Sequence, residues 1–424
     1  MTTASTTPRR AKKAKAARRP RSIIKNLDAC LQCGYCKDVC PVYKEAPWES
    51  ASPRGKVYQL KQLYRKSLSD YFLRAFGREV ELNQEFVDRL FWCTSCGMCE
   101  VDCHVNIPFP ELWEEVKAWA VESGIGPLDP HKLFLERVRE QGNPYGDPRE
   151  KRGDWAKGLK LSKDPEVIFF VGCTESYRMT EIALATAKVL TYAGVKFDIL
   201  GGEEFCCTSP LLRTGQRGET EGAARRTRAQ MERSGAKVMV TACAGCYVTT
   251  KRDHVKELGP NPFKLMHISE FVEQLIKDGR LKLTGRVDRV VTYHDPCHLG
   301  RHGKVYDAPR NVIRAIPGVR LVEMPHSRER SWCCGAGAGF KAAFKDSAES
   351  IAADRVREAM GTGAEEIITA CPFCTLNLNA GAKKAGLKIK TRDLLQLVLE
   401  SIEASVRVDG AAGKGDKVQP ARAG

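Results

Sequence analysis

From residue 167 onward the chain carries six short runs of apolar and β-branched residues: VIFFV (167–171), KFDIL (196–200), KVMVTA (237–242), RVVTYH (289–294), VRLVEM (319–324) and EEIITA (365–370). Runs this short and this apolar predict strands buried on both faces, as in a parallel sheet. Between them lie stretches of helical character: 179–194, 220–235, 309–316 and 344–361. Strand–helix alternation predicts α/β units built on parallel sheets. Before residue 126 the pattern changes. The stretches 52–76, 83–92 and 109–123 read as helix, and in the last Leu112, Val116, Trp119 and Ala120 share one face. Trp113 and Trp119 read as core. Residues 126–163, rich in Pro, Gly and charge, read as a long connection.

Composition changes the picture in two places. The 424 residues, 42% hydrophobic and 28% charged, suit two to three globular domains, and no apolar run approaches a membrane span. The net charge of +16 is concentrated at the start: residues 1–25 hold nine Lys or Arg, and the remainder carries about +7. No apolar segment follows those basic residues, Arg9-Arg10 and Arg18-Arg19 included, so neither a secretory nor a twin-arginine export signal is expected, and the protein is expected in the cytoplasm. A basic, Ala-rich tail is expected to be disordered; it also suits contact with an anionic membrane face or an acidic partner. No nucleic-acid signature accompanies it, so no nucleic acid is expected as partner.

The eighteen cysteines carry the chemistry. In a reducing compartment such a count points to metal or redox work rather than disulfides. CLQCGYCKDVC (Cys30, Cys33, Cys36, Cys40) and CTSCGMCEVDC (Cys93, Cys96, Cys99, Cys103) share the spacing C-x2-C-x2-C-x3-C, that of two-cluster bacterial ferredoxins. In that arrangement the fourth cysteine of each run serves the other cluster. Cys30, Cys33, Cys36 and Cys103 are therefore expected to hold one cubane [4Fe–4S] cluster, and Cys93, Cys96, Cys99 and Cys40 the other. Gly34 and Gly97 suit a backbone that passes close to sulfide. Zinc would want four ligands, usually as two separated pairs, and leaves a duplicated run of four unexplained. His104 stands where the first run has Pro41, a position that shapes the chain and is not a ligand. The 52 residues between the runs make this a helical domain with an insertion.

The other ten cysteines form a duplication. Cys173, then Cys206-Cys207, then Cys243 and Cys246 (TACAGC) are matched by Cys297, Cys333-Cys334, and Cys371 and Cys374 (TACPFC), with 32 and 35 intervening residues in the first unit and 35 and 36 in the second. Each group follows a predicted strand, so the three groups of a unit are expected to meet at the carboxyl ends of a parallel sheet. Five thiols, two of them adjacent, suggest a larger or irregular cluster; a zinc or cubane site with a spare thiol, and a cycling C-x-x-C dithiol, are the alternatives. His294, His298 and His302 lie near Cys297, and His326 precedes the Cys pair; each suits a surface or capping role, and their grouping suits proton donation or cluster tuning by at least one. Asp295 suits a strand end as well as chemistry.

The pattern C-x(n)-CC-x(n)-C-x-x-C, with YHDPCHLGRHGKVYDAPRNVI (293–313) and SWCCGAG (331–337) its most specific stretches, resembles the cysteine-rich (CCG) domain of heterodisulfide reductases. A double-cluster domain fused to two such units is similar to the D-type subunit of heterodisulfide reductase. It also resembles the iron–sulfur subunits of glycolate, lactate and anaerobic glycerol-3-phosphate dehydrogenases and the electron-transfer subunit of benzoyl-CoA reductase complexes. The resemblance covers about residues 23–400. It implies a helical 2×[4Fe–4S] domain (23–125), a linker (126–163) and two homologous α/β domains (164–283 and 284–404), and the tails outside them (1–22 and 405–424) are expected to be disordered. It further implies up to two non-cubane [4Fe–4S] clusters, one per cysteine-rich unit. Thr208, where the second unit has Gly335, departs from the pattern and is expected to crowd the first site.

The favoured function is electron transfer within an oxidoreductase complex. The alternatives are a heterodisulfide reductase in which the ten cysteines ligate catalytic clusters and His298 donates protons, and an iron–sulfur subunit of a flavin-dependent 2-hydroxy-acid or glycerol-3-phosphate dehydrogenase. GAGAGF (335–340) follows a Cys pair and reads as a cluster-cradling loop, so no flavin or nicotinamide site is expected. Electrons must then pass to or from a partner: a flavoprotein, a ferredoxin, or a membrane cytochrome or reductase subunit.

Overall fold

A computed structural model describes residues 20–64 and 82–412. Most of the basic tail, the expected helical stretch 65–76 and residues 413–424 lie outside these. The described part of the N-terminal region is all-helical: Pro53–Tyr64, Gln84–Phe91 and Phe109–Glu122 pack through Val57, Leu60, Phe86, Leu90, Trp113, Val116 and Trp119.

Two four-stranded parallel sheets follow. The first holds β1 (Val167–Phe169), β2 (Phe197–Ile199), β3 (Val238–Thr241) and β4 (Lys264–His267), in the order β2-β1-β3-β4. The second repeats it with β5 (Arg289–His294), β6 (Val319–Val322), β7 (Glu366–Thr369) and β8 (Lys390–Asp393), in the order β6-β5-β7-β8. Register runs Val167↔Val238 in the first sheet and Val291↔Glu366 in the second. The strand order reverses between β1 and β3, and between β5 and β7, which is where such sheets place ligands. Each unit carries one strand beyond the three its apolar runs predict. KLMH and KTRD are edge strands, the first half polar and the second wholly polar, and lack the apolar signature of the other three in each unit.

One core runs through both units, from Val167 to Ile402. Helix Thr180–Tyr192 of the first packs on the C-terminal helix Leu394–Ala412 of the second, and Ile268–Lys277 packs on Asp307–Arg314. That C-terminal helix continues past residue 404, where the sequence predicts a disordered tail. In the second unit Lys345–Met360 lies close against Pro372–Lys384: a Cβ at Gly381 would sit 2.6 Å from the Ala352 Cβ.

Residues 126–163 are not an open connection. They carry the helix Asp129–Gln141, opened by Pro130 and ended by Gly142 in the left-handed region, and a 3-10 stretch Arg149–Ala156. Arg152 is buried there. The segment's Pro, Gly and charge reflect helix punctuation, the ion pairs Lys132–Asp129 and Lys157–Asp154, and the pair Arg152 makes with Glu204.

The N-terminal region docks on both units. Trp92 meets Phe340 and Phe344 edge-on, and a Cβ at Gly337 would lie 2.6 Å from the Thr94 carbonyl oxygen. Arg213 and Arg252 of the first unit pair with Glu114.

Candidate metal centres

The two N-terminal cysteine runs interleave. Cys30, Cys33, Cys36 and Cys103 line one small cavity, and Cys40, Cys93, Cys96 and Cys99 line a second. Each run turns at a glycine, Gly34 at φ 98° and Gly97 at φ 77°, and a short helix starts there. Beside Gly97 a Cβ would meet the His302 ring at 3.1 Å. Backbone N–H groups point at sulfur: Ser95 N donates to Cys93 Sγ and Ile107 N to Cys103 Sγ, both at 3.4 Å.

Burial pushes Cys36 and Cys40 up to about 12, so thiols there would stay protonated without a nearby positive charge. A bound metal cluster supplies that charge and holds coordinating thiols as thiolates. The second set also has two buried ammonium groups beside it. Lys56 donates to the Trp92 carbonyl at 2.8 Å, and Lys117 to the Arg213 carbonyl at 3.2 Å. The donor set and the aimed N–H groups fit iron–sulfur clusters.

In each cysteine-rich unit the three groups leave the sheet where the sequence expects. Cys173 and Cys297 follow β1 and β5, the pairs Cys206-Cys207 and Cys333-Cys334 lie beyond β2 and β6, and Cys243 and Cys371 follow β3 and β7. Cys207 and Cys246 sulfurs are 3.3 Å apart, and Cys334 and Cys374 sulfurs 3.4 Å. The two sites also meet each other. Nine of the ten thiols, all but Cys333, line a single cavity of about 180 Å3, and Cys243 lies within hydrogen-bonding reach of Cys371. The tenth, Cys333, joins the site to the N-terminal region: it reaches Cys297 and Cys334 of its own unit and Cys96 of the second N-terminal set. Arg301 clamps that junction, its Nε donating to the Cys96 carbonyl at 2.6 Å and its guanidinium to the Ser331 carbonyl at 2.6 Å.

The loops after the Cys pairs differ as the sequence does. Gly335 sits at φ 82°, and a Cβ there would lie 2.5 Å from the Ala348 carbonyl oxygen. Thr208 holds the same left-handed conformation at φ 67°, its hydroxyl turned to the Cys207 carbonyl at 2.6 Å. Thr208 does not line the cavity, so it does not crowd the first site from within.

The histidines divide by role. His298 lines the cavity, with Nδ1 3.4 Å from Cys297 Sγ, and burial holds it well below the usual imidazole range. His302 bonds the Ser95 carbonyl through Nε2 at 3.0 Å, tying this unit to the second N-terminal loop. His294 is buried at the end of β5 and accepts from Arg355 Nε at 3.1 Å. His326 stacks on Trp332 and bonds Glu358, and does not line the cavity. Asp295 is structural: it accepts both arms of the buried Arg310 guanidinium, at 2.7 and 2.8 Å.

Other contributors carried no sequence signal. Arg152 places a guanidinium N–H 3.4 Å from Cys173 Sγ and pairs with Glu204 at 2.5 Å; Glu204 also accepts from the Val171 and Gly172 N–H groups. Phe134 and Tyr145, from the stretch expected as linker, line the cavity. No spacing motif marks them, because their place depends on how 126–163 folds back.

Comparison with known proteins fits this geometry. The cysteine-rich domain family matches residues 167–251 and 291–379, and the 4Fe-4S dicluster domain family matches 26–107. The D-type subunit of dihydromethanophenazine:CoB–CoM heterodisulfide reductase from Methanosarcina mazei is 38% identical over 390 residues, covering 89% of this chain and 95% of that protein. The chain belongs to the family of D-type heterodisulfide reductase subunits. A subunit of a CoM/CoB fumarate reductase from Methanothermobacter marburgensis is 33% identical over 88% of this chain and 72% of its own length. An EtfAB:quinone oxidoreductase from Syntrophomonas wolfei is 27% identical over 89% of this chain and 58% of its own. The crystal structure of a hypothetical protein from Helicobacter pylori shares the fold at TM-score 0.52 and 10% identity, covering 90% of this chain and 75% of its own. This member of the heterodisulfide reductase family is thus an iron–sulfur oxidoreductase subunit that binds 4Fe–4S clusters. No helix among its described residues is long and apolar enough to cross a membrane.

Proposed function

We propose that this chain carries electrons from a redox partner through two N-terminal clusters to two clusters in the cysteine-rich units, and that a small disulfide is reduced in the cavity both units line. The carrying observation is that nine thiols from the two units open onto one space while the tenth, Cys333, touches Cys96. A pure relay needs contact between consecutive sites; it does not need two five-thiol sites facing one cavity.

Cys30, Cys33, Cys36 and Cys103 would hold the entry cluster, and Cys40, Cys93, Cys96 and Cys99 the second. Cys297, Cys333, Cys334, Cys371 and Cys374 would hold the third, next to Cys96. Cys173, Cys206, Cys207, Cys243 and Cys246 would hold the fourth, reached through Cys243 and Cys371. When bound, the paired clusters supply one electron each, as fits the balance R–S–S–R′ + 2 e⁻ + 2 H⁺ → R–SH + R′–SH. The ten cysteines act as ligands and leave the attack to neither thiol of a C-x-x-C pair. His298, in the cavity wall with Nδ1 3.4 Å from Cys297 Sγ, is placed to pass a proton to a departing thiolate, whose growing negative charge favours the imidazolium form that burial alone disfavours. The ring of His302, 4.8 Å away, keeps it in place.

Entry fits the surface at the first set, where Cys33 is exposed between Leu31 at 70% and Tyr35 at 56% exposure. A ferredoxin, flavoprotein or membrane-cytochrome partner would dock there, on the cytoplasmic side, with the basic tail adding attraction to an anionic membrane face. A relay serving a flavin-linked or quinone-linked partner is the second reading, favoured by the fumarate reductase and quinone oxidoreductase relatives that align over the same span.

Anaerobic protein given reduced viologen and a panel of thiol heterodisulfides separates the two. Turnover that falls about 100-fold in His298→Gln, with iron content unchanged, is expected. No turnover over the panel by fully loaded protein would reject the reductase reading and leave the relay.

A further inference from the structure

The cluster of buried groups around His294 is absorbed neither by the ligand sets nor by the proton donor. His294 ends β5, three residues before Cys297, and one of its ring nitrogens, Cys334 Sγ and Cys374 Sγ all lie within 4.8 Å of one another. Such a trio has the composition of a metal site, and the imidazole would be its third ligand. Its hydrogen bonds say otherwise.

Arg355 Nε donates to His294 Nδ1 at 3.1 Å. A guanidinium has no acceptor, so Nδ1 carries no proton. Arg355 is itself fixed, donating to Ser331 Oγ at 3.0 Å and pairing with Glu358. A metal-ligating histidine binds through one nitrogen and donates its other N–H to an acceptor. Here the other nitrogen faces a donor, and ligation through Nε2 would set two N–H groups against each other. The neutral ring instead carries its proton on Nε2. That atom is buried and has no hydrogen-bond partner among the described residues. The Cys334 sulfur, within 4.8 Å of a ring nitrogen, is the acceptor left for it to turn to.

The first unit lacks this device. Phe170, three residues before Cys173, holds the equivalent position and packs with Cys207, the counterpart of Cys334. The two five-thiol sites are therefore chemically unequal at one matching point.

We propose that His294, locked in its Nε2–H tautomer by Arg355, donates a hydrogen bond to the Cys334 thiolate and so raises the reduction potential of the second unit's site. A hydrogen bond to a cluster sulfur stabilises the more electron-rich state. The site it serves is the one beside Cys96, so the effect draws electrons off the N-terminal wire. The inference rests on the reading that this unit holds a cluster, and His294 is a positioning and tuning residue in it.

The test uses the full chain, purified anaerobically with its clusters, and begins with iron and sulfide per chain for every variant. Redox titration followed by electron paramagnetic resonance then gives the midpoints of the cysteine-rich sites. His294→Phe, which installs the first unit's residue, is expected to lower one of the two midpoints so that its reduction constant falls about tenfold, about 59 mV for a one-electron couple. The other midpoint stays. His294→Gln, whose amide N–H reaches toward the same sulfur, is expected to restore most of the shift, and Arg355→Gln to give a smaller negative shift by freeing the tautomer. Full iron with an unmoved midpoint in His294→Phe would overturn the proposal. So would equal shifts in the Phe and Gln variants, or loss of one site's iron in both, which would mark a ligand. Wild-type protein lacking iron at this unit would overturn the cluster reading first, and the iron count distinguishes that result from a filled site indifferent to residue 294.

Discussion

Gly335 and Thr208 occupy the same place after the two Cys pairs and answer differently to substitution. At Gly335 a Cβ would press on the Ala348 backbone at 2.5 Å, and the φ of 82° adds strain. Gly335→Thr is expected to destabilise the protein by about 3 kcal/mol or more in denaturant unfolding, from overpacking plus the left-handed cost. Thr208→Gly removes a β-branched residue from φ 67° and loses one hydroxyl contact, so its unfolding free energy is expected to stay within about 1 kcal/mol of wild type. Two buried histidines set an acid limit. Burial lowers His131 and His267 to about 4, against an ordinary value near 6.5, so both fold in the neutral form. Below pH 6.5 the unfolded chain takes up protons that the folded chain refuses. Stability is expected to fall as pH drops from 6.5 toward 4, each histidine adding a slope of about 1 kcal/mol per pH unit. His267→Gln, measured by denaturant midpoint across that window, is expected to flatten the curve; an unchanged slope would remove His267 from the account. At this scale the grouping of thiols was legible, because two repeated spacings dictate which cysteines share a loop. The roles of the four histidines near the second site were not, since tautomer and partner depend on Arg355, Ser95 and Glu358, all distant in sequence.

Among elements, the stretch 126–163 departs furthest from its sequence pattern. Pro130 and Gly142 mark the two ends of a helix, and Arg152 anchors the next turn beneath Cys173. Breaking that anchor leaves Glu204 buried without its cation. Arg152→Met is expected to cost about 3–5 kcal/mol and to open 142–157 to limited proteolysis. Protection equal to wild type would show that the segment is held by its apolar contacts alone. The strands with apolar runs were readable, the edge strands β2 and β6 among them, whereas β4 and β8 were not, because KLMH and KTRD hold too few apolar residues to be told from loop until their neighbours are known.

In the whole molecule, the arrangement that matters is made by docking. Cys96 meets Cys333 because Trp92 and Thr94 pack on the GAGAGF loop, and Cys243 meets Cys371 because the two units share one core. No spacing along the chain announces either contact. The duplication announces two sites; only the packing turns them toward each other and puts the second beside the N-terminal wire. Arg301→Met removes the clamp between Cys96 and Ser331. It is expected to slow reduction of the cysteine-rich sites in stopped-flow experiments with little change in the N-terminal signals, and equal slowing of all signals would place its effect elsewhere.

All of this depends on metal in both cysteine-rich units. The deciding measurement is iron, acid-labile sulfide and zinc per chain on anaerobically purified protein. About sixteen irons with matching sulfide and no zinc, the content of four four-iron clusters, is expected. About eight irons, with zinc or free thiols at Cys173 and Cys297, would confine the electron path to the N-terminal region and contradict a reducing site between the units.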